Sequence, residues 1–238
     1  MSDAFEELAA AESRINPPPR TGRPVRPRDA ATLILVRRDG PAPQVLLGRR
    51  HGGHDFMPGK WVFPGGRIDR SDFRAPHVGQ LHPRVAARLE RTTTPSRARA
   101  LALAAIRETF EEAGLLLGRP APARIAVGPW REFLAQGAVP NLEPLDFVAR
   151  AVTPPISPKR FDARFFMAPA EALISLERGA DCGELDEIAW FDLEQALKLD
   201  LPSVTRFVLR EIPARLSEPH RPAPSLAFRR GRQQLEHL

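Results

Sequence analysis

The sequence predicts an α/β fold, because strand-like segments alternate with helical segments along most of its 238 residues. Apolar segments at 31–37 and 44–48 flank the turn sequence at 39–43, a pattern typical of two paired strands. The run 96–113 contains no glycine or proline and is rich in alanine, leucine and arginine, which predicts a long helix. Hydrophobic residues make up 42% of the chain, so the predicted domain can bury a substantial core.

Further strands and helices are predicted on both sides of this helix. Strands are expected at 61–63, from 115 onward, at 146–153, at 160–167 and at 188–191. Helices are expected at 85–90, 129–136, 193–199 and 204–216. Together these elements predict one domain at 29–217.

The two ends of the chain differ from the domain in composition. Residues 1–28 contain three consecutive prolines and several arginines, which predicts a flexible tail. Residues 218–238 are again rich in proline and arginine and predict a C-terminal extension, either a tail or a dimer arm, so a homodimer is left open. Neither a secretory signal nor an apolar run long enough to span a bilayer is recognised, so no membrane partner is expected. Cys182 is the only cysteine, which excludes an internal disulfide and favours a reducing compartment, the cytoplasm.

The net charge of +6 is carried mainly by arginine, since Lys60, Lys159 and Lys198 are the only lysines. A basic surface attracts phosphate groups of any kind. The chain contains no tyrosine and no aromatic-rich strand pattern on which bases could stack, so a nucleic-acid partner is not expected. The charge therefore favours a small polyanionic substrate.

The long predicted helix carries three glutamates close to its end. Thr94 is typical of a helix start and Gly114 of a helix stop. Glu108 and Glu112 are one turn apart on the same face, and Glu111 lies beside them. Like charges at this spacing repel one another, and a cation such as Mg²⁺ or Mn²⁺ would relieve the repulsion. The alternative is a solvated acidic face, and the helix alone does not decide between the two.

A glycine pair upstream favours the metal site. Gly65 and Gly66 follow an apolar strand and allow the backbone to approach a ligand closely. Together with Asp72 and the run 107–114, Gly66 resembles the signature of the Nudix hydrolases. That signature, the Nudix box, runs Gly, five residues, Glu, seven residues, Arg-Glu-aliphatic-x-Glu-Glu-x-Gly-aliphatic. The residues that match it in type and spacing are Arg107, Glu108, Glu111, Glu112, Gly114 and Leu115.

The chain departs from this box at three points. Asp72 stands where the box has its first Glu, and Thr109 where it has an aliphatic residue. Residues 73–106 separate Asp72 from Arg107 where the box has only seven residues. This split box resembles the Nudix branch that includes a mammalian coenzyme A diphosphatase. We expect the segment 73–93 to be a helical insertion that acts as a lid, selects the substrate or only pads the domain.

The resemblance implies an α/β/α sandwich with a mixed β-sheet, and hydrolysis of a diphosphate linkage with Mg²⁺ or Mn²⁺ as cofactor. The metal ligands that it implies are Glu108, Glu111 and Glu112. The catalytic residues that it implies are Glu111, Glu112, Arg107 and Glu184, with Asp72 as the orienting partner of Arg107. The general base is left open between Glu111 and a loop acid, Glu184 or Glu187. Substrate contacts are expected from Arg49, Arg50, Gly65, Gly66 and Arg160, with Arg164 as a further candidate.

The branch resemblance points to coenzyme A or acyl-coenzyme A as the substrate. The alternatives within hydrolases are another nucleotide, such as NADH, ADP-ribose or a dinucleoside polyphosphate. Outside that class, a nucleotide-sensing regulator or an RNA-end-processing protein remains an alternative. Because all three box glutamates are present, the sequence favours catalysis over sensing.

Overall fold

The computed structural model describes residues 25–53, 57–155, 157–177, 185–229 and 232–238. Its strands are β1 Arg28–Arg37, β2 Gln44–Arg50, β3 Trp61–Val62, β4 Gly65–Arg67, β5 Gly118–Pro120, β6 Ala138–Pro140, β7 Asp146–Val152, β8 Phe161–Pro169, β9 Leu185–Asp192, β10 Pro224–Arg229 and β11 Arg232–His237. Its α-helices are α1 Pro83–Glu90, α2 Pro95–Ala113, α3 Arg131–Ala135, α4 Leu193–Lys198 and α5 Ser203–Ser217. Short 3₁₀ helices lie at Arg70–Phe73 and Ala170–Ala172.

Within the described residues, nine strands form one mixed sheet in the order β11-β10-β7-β8-β1-β2-β3, with β4 beside β1 and β9 beside β2. The central strand β1 runs parallel to β8 and antiparallel to both β4 and β2. The first half of β1 pairs with β4, with Ala30 opposite Arg67, and its last residues pair with β2. The strands β5 and β6 form a separate two-stranded sheet. The pairing of β1 with β4 brings the Gly65-Gly66 segment into the middle of the domain.

Alternate residues of β1 face two different cores, because successive side chains of a strand point to opposite faces of its sheet. Leu33 and Leu35 belong to the core that also contains residues of α1 and α2. Ile34 and Val36 belong to a second core that contains residues of α4 and α5. Helices therefore cover both faces of the sheet, and the predicted α/β/α sandwich with a mixed sheet is confirmed.

The segment 73–93 contains α1, close to the helix expected at 85–90. Val85 and Leu89 are 1% and 0% exposed and pack in the same core as α2. These contacts anchor the segment to the domain, and its role as a lid, in substrate selection or as padding stays a prediction.

The residues after Ser217 continue the sheet. Strand β10 pairs in parallel with β7, with Leu226 opposite Ala151, and antiparallel with β11. Leu226 is 1% exposed, and the backbones of Ala223 and Leu238 exchange two hydrogen bonds. The C-terminal extension expected at 218–238 thus adds two strands to the domain and does not stand apart from it.

None of the helices in the described part of the chain combines the length and the apolar character that crossing a membrane requires.

Candidate active site

The helix α2 begins and ends where its sequence predicts. The side chain of Thr94 accepts a hydrogen bond from the backbone N–H of Arg97, and Pro95 occupies the first helical position. Gly114 ends the helix with a φ of 69°, the left-handed conformation that glycine adopts without a steric penalty. Because both ends are fixed, the glutamates of the last two turns have a defined orientation.

Two glycines of β4 allow the strand to lie directly against these glutamates. The backbone N–H of Gly65 donates a hydrogen bond of 2.8 Å to Oε2 of Glu112, which is 4% exposed. A Cβ atom at Gly66 would overlap the carboxylate of Glu108. A residue with a side chain here would therefore displace Glu108, which is a physical reason for glycine at this position.

Arg107 and Asp72 form a buried ion pair behind the glutamates. Nε and Nη2 of Arg107 donate to the two carboxylate oxygens of Asp72 at 2.9 and 3.2 Å, and the side chains are 4% and 0% exposed. Asp72 also accepts from the backbone N–H of Asp69 at 2.7 Å and from Nε1 of Trp130 at 2.9 Å. Each oxygen of Asp72 thus accepts two hydrogen bonds. Although aspartate is one methylene shorter than the glutamate of the box, its carboxylate accepts all four.

Arg107 also links this pair to the glutamates. Its Nη1 donates to Glu108 at 2.9 Å and to Glu111 at 2.8 Å, while Nη2 also donates to the backbone carbonyl of Arg67 at 2.9 Å. Burial by itself would lower the pKa of the Arg107 guanidinium. The hydrogen bond to Asp72 and the charges of Glu108, Asp72 and Glu111 outweigh burial and raise that pKa. Arg107 is therefore a permanent positive charge at the centre of the cluster.

The ligand chemistry of the three glutamates fits a hard divalent cation, since all three offer carboxylate oxygens from one helix. Within the described residues, however, no group of three or more histidine, cysteine, aspartate or glutamate side chains is arranged so that it could hold a metal ion. Glu108 and Glu111 are instead drawn to the same nitrogen of Arg107. To bind a cation, these two glutamates would have to exchange Arg107 for the ion.

An open cleft of about 1030 Å³ lies beside this cluster. Arg107, Glu108 and Glu111 line one part of it. The remaining walls come from the start of β1, the residues after β4, Thr92 and Thr93 before α2, Pro129, and the start of β8. The cleft is large enough for a nucleotide-sized ligand, which occupies pockets of roughly 300–1,000 Å³.

The structure places two of the predicted phosphate contacts, Arg49 and Arg50, outside this cleft. Arg49 forms a 3.4 Å ion pair with Glu187 and lies over the ring of Trp61. Arg50 ends β2, where its backbone N–H bonds to the carbonyl of Lys60. Neither arginine lines the cleft, so their contact with substrate stays a prediction.

Arg160 and Arg164 differ in their surroundings. The guanidinium of Arg160 donates to the backbone carbonyls of Thr153 and Val25, and this residue does not line the cleft. Arg164 does line it, although its side chain is only 2% exposed. The candidate base Glu184 lies outside the described residues, and its role stays a prediction.

Sequence reasoning did not identify two residues that hold this site together. Trp130 donates to Asp72, and Asp69 caps the 3₁₀ helix that carries Asp72. The hydrogen bonds from Ser71 to its carboxylate lower the pKa of Asp69. A capping pattern at 69–72 was readable from the sequence, whereas nothing in the sequence connects Trp130 to Asp72.

Comparison with known proteins places this arrangement in a family. Over 151 residues the chain is 32% identical to acyl-coenzyme A diphosphatase NUDT19 of Gallus gallus. That match covers 49% of this chain and only 39% of the relative, so the chain spans well under two thirds of it. The crystal structure of a NUDIX hydrolase from Alicyclobacillus acidocaldarius is 28% identical, with a TM-score of 0.56 over 78% of this chain and 90% of that chain. The chain belongs to the Nudix hydrolase superfamily.

The run 107–114, predicted to belong to the Nudix box, lies at the end of α2 next to the glycine pair of β4. A more distant likeness is to a MutT NUDIX hydrolase from Burkholderia pseudomallei, 21% identical with a TM-score of 0.45 over 79% of this chain and 99% of that chain. This second likeness is too remote to bear on function. No protein-family model matches the chain.

Proposed function

We propose that this Nudix protein is a metal-dependent hydrolase that cleaves the diphosphate linkage of coenzyme A or an acyl-coenzyme A. The observation that carries the proposal is the cluster on α2, where Glu108 and Glu111 accept from an arginine anchored by Asp72 and Glu112 accepts from Gly65. The similarity to the Gallus gallus acyl-coenzyme A diphosphatase supports this choice of substrate. The similarity to the Alicyclobacillus hydrolase supports hydrolysis as the reaction.

The chemistry of the substrate explains what the site must supply. A diphosphate resists hydrolysis because its negative oxygens repel an incoming nucleophile. A bound Mg²⁺ or Mn²⁺ would neutralise that charge and lower the pKa of a coordinated water, and Glu108, Glu111 and Glu112 would hold the ion.

The three glutamates and Arg107 have different roles in this proposal. Glu112 is the most buried of the three glutamates and is oriented by the backbone N–H of Gly65. Of the two glutamates that accept from Arg107, Glu111 has the more accessible side chain, 37% exposed against 14% for Glu108. This exposure makes Glu111 the better placed to accept the proton of the attacking water. Glu184 is the alternative base. Arg107 positions the glutamates, because its own guanidinium is fixed by Asp72.

The test is product-resolved hydrolysis of coenzyme A, acetyl-coenzyme A, NADH, ADP-ribose and diadenosine polyphosphate, with Mg²⁺, with Mn²⁺ and after chelation. We expect phosphopantetheine from coenzyme A, acetyl-phosphopantetheine from acetyl-coenzyme A and an adenosine bisphosphate from both, with no release of products after chelation. If only another substrate is hydrolysed, the coenzyme A assignment is wrong, whereas the assignment of the active site is still supported.

The variant Glu112→Gln tests the site itself. Glutamine retains an oxygen that accepts from Gly65, so the fold should persist, while the loss of the charge should lower kcat at least about 100-fold. The matched control is Glu90→Gln on the exposed end of α1, which should change neither kcat nor the melting temperature. A Glu112→Gln enzyme with near-normal turnover would refute the assignment of Glu112.

A further inference from the structure

The charges that line the cleft are separated along its length. One end contains three acidic residues and two arginines, which are Glu108, Glu111, Asp69, Arg67 and Arg107. The other end is formed by four arginines and two aspartates, which are Arg26, Arg28, Arg97, Arg164, Asp29 and Asp162. The first end therefore favours a cation, whereas the second carries an excess of positive charge and favours an anion.

The arginines and aspartates at this second end are linked by a continuous series of ion pairs. Nη1 of Arg97 lies 2.9 Å from Asp29, and Nη1 of Arg164 lies 3.2 Å from the other oxygen of Asp29. Arg164 also lies 2.8 Å from Asp162, which in turn accepts two hydrogen bonds from Arg150. Three arginines thus share two aspartates. Asp29 contacts Arg97 and Arg164, and Asp162 contacts Arg164 and Arg150.

The three arginines differ in how well a ligand can reach them. Arg164 and Arg150 are 2% and 17% exposed, and Nε of Arg164 is buried without a hydrogen-bond partner among the described residues. Arg97 is 48% exposed and lies at the opposite end of these contacts from Arg150, whose charge Glu236 also balances. Arg97 is therefore the arginine of the three that a ligand in the cleft can reach, and Asp29 holds it in place.

Arg97 and the glutamates lie on the same helix, α2, so the distance between them can be worked out. Arg97 and Glu108 are separated by about three helical turns, so they lie on the same side of α2, about 16 Å apart along its axis. Arg97 also stands in the first turn of α2, where the helix dipole favours an anion. A single extended ligand that follows the cleft can contact both residues.

We propose that the Arg97 end of the cleft binds a second anionic group of the substrate, a phosphate monoester separate from the diphosphate that is cleaved. This inference rests on the proposed function, because the position of the cleaved diphosphate at the glutamates is taken from it. The substrate class is a nucleoside diphosphate derivative that carries an additional phosphate on its ribose. The additional phosphate would contact Arg97 while Asp29 keeps the guanidinium oriented.

The experiment compares substrates that differ only in this phosphate. The pairs are coenzyme A with dephospho-coenzyme A and NADPH with NADH, each assayed with wild type, Arg97→Gln and the control Arg99→Gln. We expect wild type to prefer the member of a hydrolysed pair that carries the monoester. Arg97→Gln should raise KM for that member about tenfold, the scale of a lost charged hydrogen bond, with KM for the other member and both kcat values unchanged. Arg99 lies on the same helix and does not line the cleft, so Arg99→Gln should retain the preference.

Failure of this inference can be distinguished from failure of the proposed function. An unchanged preference in Arg97→Gln, or none in wild type, would overturn the inference while hydrolysis still supports the function. If neither pair is hydrolysed, calorimetry with adenosine 3′,5′-bisphosphate and with AMP replaces the assay. Tighter binding of the bisphosphate that Arg97→Gln abolishes would support the second site without the activity, and equal binding would overturn it. The variant should fold normally, because an exposed ion pair contributes little to stability.

Discussion

The substitution Asp72→Asn is the most direct test of how the site is held together. The two oxygens of Asp72 each accept two hydrogen bonds, from Arg107, the backbone of Asp69 and Trp130. Asparagine has one oxygen and one NH₂ group, so either orientation places the NH₂ group against two donors. The same change removes the negative charge that balances the buried guanidinium of Arg107.

The expected loss of stability follows from these contacts. Removing one partner of a buried ion pair costs about 3–5 kcal/mol, because the other charge is left without its counterion. Arg107 would retain Glu108 and Glu111 on its Nη1, which favours the lower half of this range. For a domain of this size the lower half of the range, about 3–4 kcal/mol, corresponds to a decrease of about 6 to 16 °C in melting temperature.

Thermal and urea denaturation, each followed by circular dichroism, measure the effect. The matched control is Asp200→Asn, which breaks an ion pair with Lys60 at the surface, where the Asp200 side chain is 69% exposed. The control should leave the melting temperature within about 1 °C. A decrease of less than about 3 °C for Asp72→Asn would refute the reasoning, since it would mean that the buried pair contributes no more than an exposed one.

Three further substitutions separate the roles of neighbouring residues. Trp130→Phe removes one of the four donors to the buried carboxylate but keeps an aromatic ring, and urea denaturation should show a loss of about 1.5–3 kcal/mol. Gly66→Ala should displace the carboxylate of Glu108 and lower kcat at least about tenfold, whereas Gly52→Ala, where a Cβ has no neighbour, should not. Leu89→Ala should destabilise the domain by about 2–5 kcal/mol in the same denaturation assay, because its side chain is 0% exposed in the core. A smaller loss for Leu89→Ala would show that the segment 73–93 is not part of the cooperative core.

The helix and the glycine pair were the parts of the site that the sequence predicted best. The limits of α2 depend on local signals, since Thr94 caps its start and Gly114 ends it. The contact between Arg107 and Asp72, expected from the family resemblance, is also present. These features are readable because each depends on nearby residues or on a spacing that a family shares.

The charged end of the cleft could not be predicted in the same way. The contact between Asp29 and Arg164 exists only because β1 and β8 run in parallel, with Asp29 opposite Asp162 and Ala31 opposite Arg164. That register places side chains far apart in sequence on one face of the sheet, and local periodicity does not reveal it.

The C-terminal strands illustrate a related limit. Residues 218–238 are rich in proline and arginine, a composition that favours a tail. Pro224 nevertheless opens β10, a position that proline tolerates, and Leu226 of the same strand is buried beside β7. The strand forms because β7 offers an edge to pair with, and that edge is set by the tertiary fold.

The hydrogen bonds of Arg107 suggest why an arginine belongs at the centre of this site. Only Nη1 contacts Glu108 and Glu111, whereas Nε and Nη2 are held by Asp72 and the carbonyl of Arg67. If the two glutamates turn toward a cation, two of the three guanidinium nitrogens keep their partners, and the side chain stays in place. A lysine has a single nitrogen and could not hold Asp72 through two separate nitrogens while it releases the glutamates. The planar guanidinium can therefore relieve the repulsion among the carboxylates without a cation and remain fixed when one binds.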